Sequence, residues 1–313
     1  MMNNENLEKK YQIRTDLACE SGFFKKMKEE GIVIDRNGII INKYHEVNSS
    51  GENIYYNLDT RAIKTHDTDD LNNCINVLSE VLKELIKEMH IKEKPKTLVV
   101  GLGNINVTPD SLGPMVCDNV IVTRHLFVTN IDDVSEGINE VSAIAPGVMG
   151  TTGIETYDII DAVIKKINVD LVIVIDALAS RSIERVNKTI QITNAGICPG
   201  SGVGNKRKEL NKETIGKPII AIGVPTVVDA VTIAIDAIDL IVNHLKEVVN
   251  NDDTINKINS LDESSKRSLI DEILTPSGFN MMVTPKEIDL DINDLTNIIS
   301  GAIDKALHPL VGE

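Results

Sequence analysis

The chain has few aromatic residues, no tryptophan and a large excess of negative over positive charge. Phe, Trp and Tyr together make up 3% of the 313 residues, and the formal net charge at pH 7 is −15. Proteins that bind single-stranded nucleic acid stack the bases on aromatic rings, and a phosphate backbone needs positive charge opposite it. We therefore expect no direct binding of nucleic acid. The hydrophobic content of 42% predicts instead a large buried core.

Sequence signatures of zinc sites and covalent catalysis are also missing. The four cysteines form no C-x-x-C pair, and the six histidines have no H-E-x-x-H spacing. A disulfide framework, a zinc knuckle and a zinc hydrolase are therefore not supported. No G-x-S-x-G turn occurs, which weakens a serine hydrolase. The cysteines are expected to be buried thiols: Cys19, Cys74, Cys117 and Cys198.

No part of the sequence predicts a secretory signal or a membrane span. The first ten residues are polar, and no later apolar run is long enough to cross a bilayer. We therefore expect a cytoplasmic protein without a membrane partner.

Two short apolar runs rich in β-branched residues lead to aspartates. Residues 97–100 enter the turn Gly101-Leu102-Gly103 and then reach Asp110, and residues 171–175 lead directly into Asp176. Such runs predict buried strands, and open parallel sheets place ligands at the carboxyl ends of their strands. We therefore expect both carboxyl groups to point into one crevice.

Strand and helix patterns alternate through the middle of the chain, which predicts an α/β fold with a mostly parallel sheet and helices on both faces. An Asn37-Gly38 turn between apolar runs predicts an added antiparallel β element near the N-terminus. Predicted strands cover residues 97–100, 126–128, 171–175, 190–193 and 218–224, and predicted helices cover residues 69–93, 154–167 and 228–245, with another beginning near Ser111.

The predicted organisation is an N-terminal arm of residues 1–16 followed by one domain of residues 17–313. Within the domain we expect a β-rich front at 17–66, a core at 67–245, an irregular excursion at 246–289 and a closing helix at 290–308.

Asp110 and Asp176 together predict acid–base chemistry. Either residue alone could be an ordinary helix cap. Asp110 precedes a predicted helix, whose amide groups favour the ionised carboxylate, whereas Asp176 follows five apolar residues, and burial favours its protonated form. An ionised and a protonated carboxyl can divide the work of hydrolysis, one taking a proton from water and the other donating one. The pair predicts peptide hydrolysis without a covalent intermediate.

The glycine-rich segments leave a different class of function open. Gly101-Leu102-Gly103 lacks the third glycine of a dinucleotide fingerprint, because Asn106 occupies that position. In the segment 200–206, Asn205 separates the last glycine from Lys206, unlike a phosphate-binding loop. These glycines would instead allow the backbone to approach a ligand such as an extended peptide. A non-catalytic module that binds a peptide or nucleotide is the alternative.

Several long sequence motifs resemble those of the germination protease family of spore-forming bacteria. They are RTDLACE at 14–20, VVGLGN at 99–104, TPDSLGP at 108–114, TRHLF at 123–127, APGVMGTTGIE at 145–155, DALA at 176–179 and GSGVGNKR at 200–207. The resemblance implies an endopeptidase, active in the developing spore and spore core, whose substrates are small acid-soluble spore proteins. It also implies a homotetramer made as a self-processing zymogen, with Asp110 and Asp176 as catalytic residues. Because no histidine or cysteine ligand spacing occurs, we expect no cofactor.

The resemblance extends to the fold and leaves a second mechanism open. The family's fold is similar to that of hydrogenase maturation peptidases, a hydrolase-like α/β layer arrangement. Those peptidases use carboxylates near these positions to sense nickel, so a metal-dependent peptidase with carboxylate ligands is an alternative mechanism. Oxygen ligands of that kind would need a third partner, for which Asp133, Glu136 and Asp229 are candidates.

The same resemblance places a processing site between Asp16 and Leu17. The word from Thr15 to Glu20 has the acidic, hydrophobic, small, any, acidic pattern that the family cleaves, although Cys19 stands where an aliphatic residue is expected. An arm that reaches the active site is both first substrate and inhibitor. If the two aspartates share a proton, processing is expected to quicken as the pH falls below neutral.

Overall fold

The structure is a computed structural model that describes residues 16–17, 31–48, 51–60, 65–129, 137–199, 207–248, 265–266, 270 and 281–312. The strands are β1 (Ile32–Arg36), β2 (Ile39–Asn48), β3 (Gly51–Asp59), β4 (Thr97–Gly101), β5 (Val141–Ile144), β6 (Leu171–Ser180), β7 (Thr189–Thr193), β8 (Ile219–Asp229) and β9 (Met282–Val283). The helices are α1 (Thr68–Glu88), α2 (Leu112–Asn119), α3 (Arg124–Val128), α4 (Met149–Thr152), α5 (Thr156–Ile167), α6 (Lys212–Ile215), α7 (Ala230–Val248) and α8 (Ile288–Leu307).

The strands of these described ranges all belong to one mixed sheet. Its order is β1-β2-β3-β7-β8-β6-β4-β5, and β9 pairs with β8 outside this path. The four strands β8, β6, β4 and β5 are parallel, whereas β1, β2, β3 and β7 join them through antiparallel pairings. The prediction of a mostly parallel sheet was therefore wrong. The antiparallel front is not a separate element, because β3 pairs with β7 and extends the central sheet.

The predicted hairpin between β1 and β2 is confirmed, and its turn explains its register. Asn37 and Gly38 both have positive φ angles, of 52° and 83°. A two-residue turn with this geometry matches the right-handed twist of the strands. The backbone N–H of Gly38 also donates to the carboxylate of Asp35.

Helices cover both faces of the parallel strands. On one face, α1, α2 and α8 bury a cluster that includes Val99, Ile173 and Ile222. On the other face, α5 packs against Leu98 and Val174. Strands that are buried on both sides need apolar residues at consecutive positions, which is why the runs of β4 and β6 do not alternate.

Helix α1 illustrates how local signals fix an element on this core. The carboxylate of Asp67 caps the helix by accepting the backbone N–H groups of Asp69 and Asp70. Leu78 and Leu82 lie on its inner face and are fully buried, and α1 packs against α8. The spacing of three and four residues therefore predicted the helix correctly, with a start one residue earlier and an end five residues earlier than expected.

Other boundaries differ from the predictions for tertiary reasons. Residues 126–128, predicted as a strand, lie in α3, while β5, which was not predicted, supplies the next parallel strand. The strands predicted at 171–175 and 218–224 extend to Ser180 and Asp229, because β6 and β8 continue to pair with each other.

The closing helix is confirmed as α8, beginning at Ile288. Most of the predicted arm (1–16), Cys19 and much of the predicted excursion (246–289) lie outside the described residues. In the part of the chain that the structure describes, no helix is long and apolar enough to cross a membrane.

Candidate active site

Asp110 is positioned by a tight turn at the carboxyl end of β4. Gly103 has a φ angle of 112°, and a Cβ atom there would lie 2.1 Å from the carbonyl oxygen of Asp110. The backbone N–H of Asn104 donates to that carbonyl over 3.0 Å. The hydroxyl of Thr226, on β8, donates to the carbonyl of Pro109 over 2.6 Å. Asp110 ends a 3-10 turn just before α2, and this turn is held by Asn104, which follows β4, and by Thr226 of β8.

The first turn of α2 packs closely against the backbone at the end of β4 and against Ile175 of β6. A Cβ atom on Gly113 would lie 2.3 Å from the carbonyl oxygen of Leu102, and one on Gly101 would lie 2.1 Å from that of Gly113. Only glycine fits at such separations. The glycines of this turn were predicted to admit a ligand, and Gly101 and Gly103 instead admit the chain's own backbone. Residues 200–206, the other glycine-rich segment, lie outside the described residues.

Asp176 lies within β6, at the level where β4 ends. The last residue of β4, Gly101, pairs with Ile175, and the N–H of Leu102 donates to the carbonyl of Ile175 over 2.8 Å. Beyond this point β6 keeps β8 on one side while β4 no longer covers its other side. Asp176 is 6% exposed and accepts a hydrogen bond from the backbone N–H of Ala177.

Both carboxyl groups are held above their ordinary pKa. Burial raises the pKa of Asp110 from 3.8 to about 6, against the lowering effect of the Asn104 N–H. Burial raises the pKa of Asp176 well above its ordinary value, and the negative charges of Asp110 and Asp16 raise it further. The expectation that the amide groups of the following helix favour an ionised Asp110 was wrong: burial raises its pKa, and the N–H group that opposes this belongs to Asn104, outside α2. Burial raises the pKa of Asp176, as the sequence predicted.

Residues 16 and 17, the predicted processing site, lie at this same place. The backbone N–H of Asp16 donates to the carbonyl of Ala179 over 3.0 Å. The carboxylate of Asp16 accepts the backbone N–H of Ala179, also over 3.0 Å. Leu17 is 1% exposed. The structure thus brings Asp16, Asp110 and Asp176 together, three carboxyl groups that are distant in sequence.

The residues considered as a third metal ligand are only partly described. Asp133 and Glu136 lie outside the described residues. Asp229 is buried at the end of β8, and its carboxylate accepts the backbone N–H of Val231. Within the described ranges, no group of three or more His, Cys, Asp or Glu side chains has the arrangement of a metal site.

Two contributors to the site were not predicted from the sequence. Ala179 acts through its backbone, which no side-chain pattern can reveal. Thr226 reaches the turn before Asp110 from β8, and the distance of 117 positions to Pro109 leaves no local signal.

Comparison with known proteins finds one family and closely similar relatives. The family model described as "Germination protease" matches residues 1–259 and 250–313. A germination protease of Bacillus velezensis is 42% identical, with 100% of this chain and 98% of the relative covered. Those of Bacillus cereus and Bacillus subtilis are 43% and 42% identical, covering 96% and 97% of this chain and 94% and 95% of the relative, respectively.

Proposed function

Because this chain belongs to the germination protease family, a family of proteases with a role in spore germination, we propose that it is the endopeptidase that initiates degradation of small acid-soluble spore proteins. We further propose that it is made as a zymogen that removes residues 1–16 itself, and that it works as a homotetramer in the developing spore and the spore core.

The observation that carries this proposal is the position of Asp16. The residue on the amino side of the proposed cut is hydrogen-bonded to β6 three positions from Asp176, and its charge acts on the pKa of Asp176. A residue next to the proposed cut that is held beside the carboxyl groups of Asp110 and Asp176 is the arrangement expected of a substrate in an active site. The same arrangement accounts for inhibition, since Asp16 occupies the place that a residue of another protein substrate would take.

The two carboxyl groups then share the chemistry unequally. At neutral pH Asp110, with a pKa of about 6, is ionised and takes a proton from the attacking water. Asp176, whose pKa burial raises well above its ordinary value, takes the protonated role: it first polarises the peptide carbonyl and then donates its proton to the leaving amine. Water adds to the carbonyl carbon and the C–N bond breaks. Asp110 ends protonated and Asp176 ionised, and proton exchange with solvent restores both.

The pH dependence of processing follows from this assignment. The competent pair carries one proton, so its population is largest between the two pKa values. Processing therefore quickens on acidification only to a maximum above about pH 6 and slows below that maximum, as Asp110 becomes protonated. The sequence predicted faster processing below neutral pH, and this mechanism adds a lower pH limit to that prediction.

The test is self-processing and substrate cleavage by the full chain and its Asp110→Asn and Asp176→Asn variants. We expect each variant to lose several orders of magnitude in both rates, because each removes a group that transfers a proton. Asp118→Asn is the matched control, since Asp118 lies on α2 and is exposed. N-terminal sequencing identifies the new terminus, which should be Leu17.

Two further outcomes separate the alternatives. A chain that processes equally well without Asp110 and Asp176 contradicts the two-aspartate mechanism. Loss of both activities on exhaustive chelation, with recovery on adding one divalent ion, would instead assign metal-assisted hydrolysis. Light scattering on the processed protein tests for the tetramer.

A further inference from the structure

We propose that the backbone of Ala179 is the specificity element for the residue before the scissile bond, holding an acidic residue of an extended substrate through its N–H and C=O groups. This inference rests on the proposed function and adds to it the group that recognises the substrate. It predicts that acidic selectivity depends on the backbone amide of Ala179.

The side of β6 that faces β4 changes its partner along the strand. β4 pairs with β6 only as far as Ile175, whereas β8 follows β6 to Ser180. On the β4 side, Ile175 accepts from Leu102, Ala177 donates to the Asp176 carboxyl, and Ala179 bonds to Asp16. Alternate residues of a strand direct their backbone groups to the same side. Position 179 therefore presents its amide and carbonyl where a substrate strand can add to the sheet.

The contact between Asp16 and Ala179 differs from ordinary strand pairing. Asp16 donates its N–H to the carbonyl of Ala179, as a neighbouring strand would, but the Ala179 N–H is accepted by the Asp16 side chain. In an ordinary antiparallel pair the main-chain carbonyl of the partner residue would accept that N–H. The carboxylate of Asp16 thus accepts the hydrogen bond that the carbonyl of the scissile peptide bond would otherwise accept. A residue without a side-chain acceptor cannot do this.

The position of the same carboxylate also supports the proposal chemically. The charge of Asp16 is one of the causes that raise the pKa of Asp176, together with burial and Asp110. An acidic residue before the scissile bond therefore helps to keep Asp176 protonated while the peptide bond is in place. Substrate recognition by Ala179 and proton donation by Asp176 therefore both favour an acidic residue before the scissile bond.

The first experiment compares self-processing of the full chain with its Asp16→Asn and Asp16→Ala variants. Asparagine keeps an oxygen that can accept the Ala179 N–H, whereas alanine has none. From the usual strength of such bonds we expect Asp16→Asn to process within about fivefold of the parent, and Asp16→Ala to be about 10- to 100-fold slower than the parent. Intact-mass measurement gives each rate. The upper limb of the pH profile should move to lower pH in Asp16→Asn, because a negative charge beside Asp176 is removed.

The second experiment removes the donor itself. Replacing Ala179 by its α-hydroxy acid, lactic acid, through nonsense suppression keeps the methyl group and eliminates the N–H. This replacement is made in the parent chain and in its Asp16→Ala variant. We expect the ratio of their processing rates to fall from at least about tenfold to about one, because neither chain can then form the bond. Damage to the fold alone would slow both chains and preserve the ratio, so the ratio reports on recognition.

The outcomes distinguish this inference from the proposed function. If Asp16→Asn and Asp16→Ala are equally slow, or if the ratio survives the loss of the Ala179 N–H, the acidic residue is read by another group and the inference is overturned. In that case Asp110→Asn would still abolish processing, and the two-aspartate mechanism would stand. If Asp110→Asn leaves processing intact, the proposed function itself fails.

Discussion

The raised pKa of Asp110 makes a quantitative prediction about stability that does not depend on measuring proteolysis. An acid whose pKa is higher in the folded chain than in the unfolded chain stabilises the fold only while it is protonated. Its contribution is complete below pH 3.8 and is lost as the pH rises through about 6. The difference between these two values corresponds to about 3 kcal/mol, at 1.36 kcal/mol for each tenfold change in proton affinity. Asp110→Asn should remove this dependence.

The reference is Asp176→Asn, which the proposed mechanism expects not to cut itself. The double variant Asp110→Asn with Asp176→Asn is compared with it. Burial, the main cause of the raised pKa of Asp110, remains in the reference. Urea unfolding at equal protein concentration gives the free energy of unfolding at several values between about pH 4 and pH 7.5.

We expect the two free energies of unfolding to agree near pH 4 and to separate as the pH rises, until the double variant is more stable by up to about 3 kcal/mol above about pH 6.5. Adding Asp118→Asn to the same reference should give no comparable pH-dependent gain, since Asp118 is exposed. A difference that stays constant across the pH range would refute the argument that burial of Asp110 raises its pKa.

Three shorter predictions concern the parts that position the site. Gly113→Ala should lower the free energy of unfolding by several kcal/mol, because its Cβ would lie 2.3 Å from the carbonyl oxygen of Leu102. The control Gly150→Ala, whose Cβ would meet no atom within 4 Å, should be close to neutral in chemical unfolding. Thr226→Val should cost about 1 kcal/mol of stability and slow cleavage at unchanged KM, because it releases the turn before Asp110; unchanged kcat would contradict this role. The acid limb of kcat should titrate near pH 6, and a limb near pH 4 would show that Asp110 is not the base.

The sequence predicted elements well where one local signal was sufficient. The spacing of apolar residues located α1 and α8, and the Asn37-Gly38 turn located the first hairpin. The same reasoning failed for residues 126–128, whose apolar character suits a strand or a helix equally well over so short a length. It also gave no sign that the front strands extend the central sheet, since the pairing of β3 with β7 joins segments about 130 positions apart.

For the candidate site, the sequence by itself determined which residue types were present and where they followed strands. Asp110 and Asp176 were identified because apolar runs precede them. Asp16 was identified because it lies in a motif that resembles the family's cleavage sites. Their catalytic and processing roles remain predictions. Only the tertiary structure decided that β4 ends at Gly101 while β6 continues to Ser180. That difference in length exposes one side of β6 to Asp16 and buries Asp176 beside two other acids. Strand length here depends on pairing with distant partners, and desolvation depends on what packs around a carboxyl group, so neither could be read from neighbouring residues.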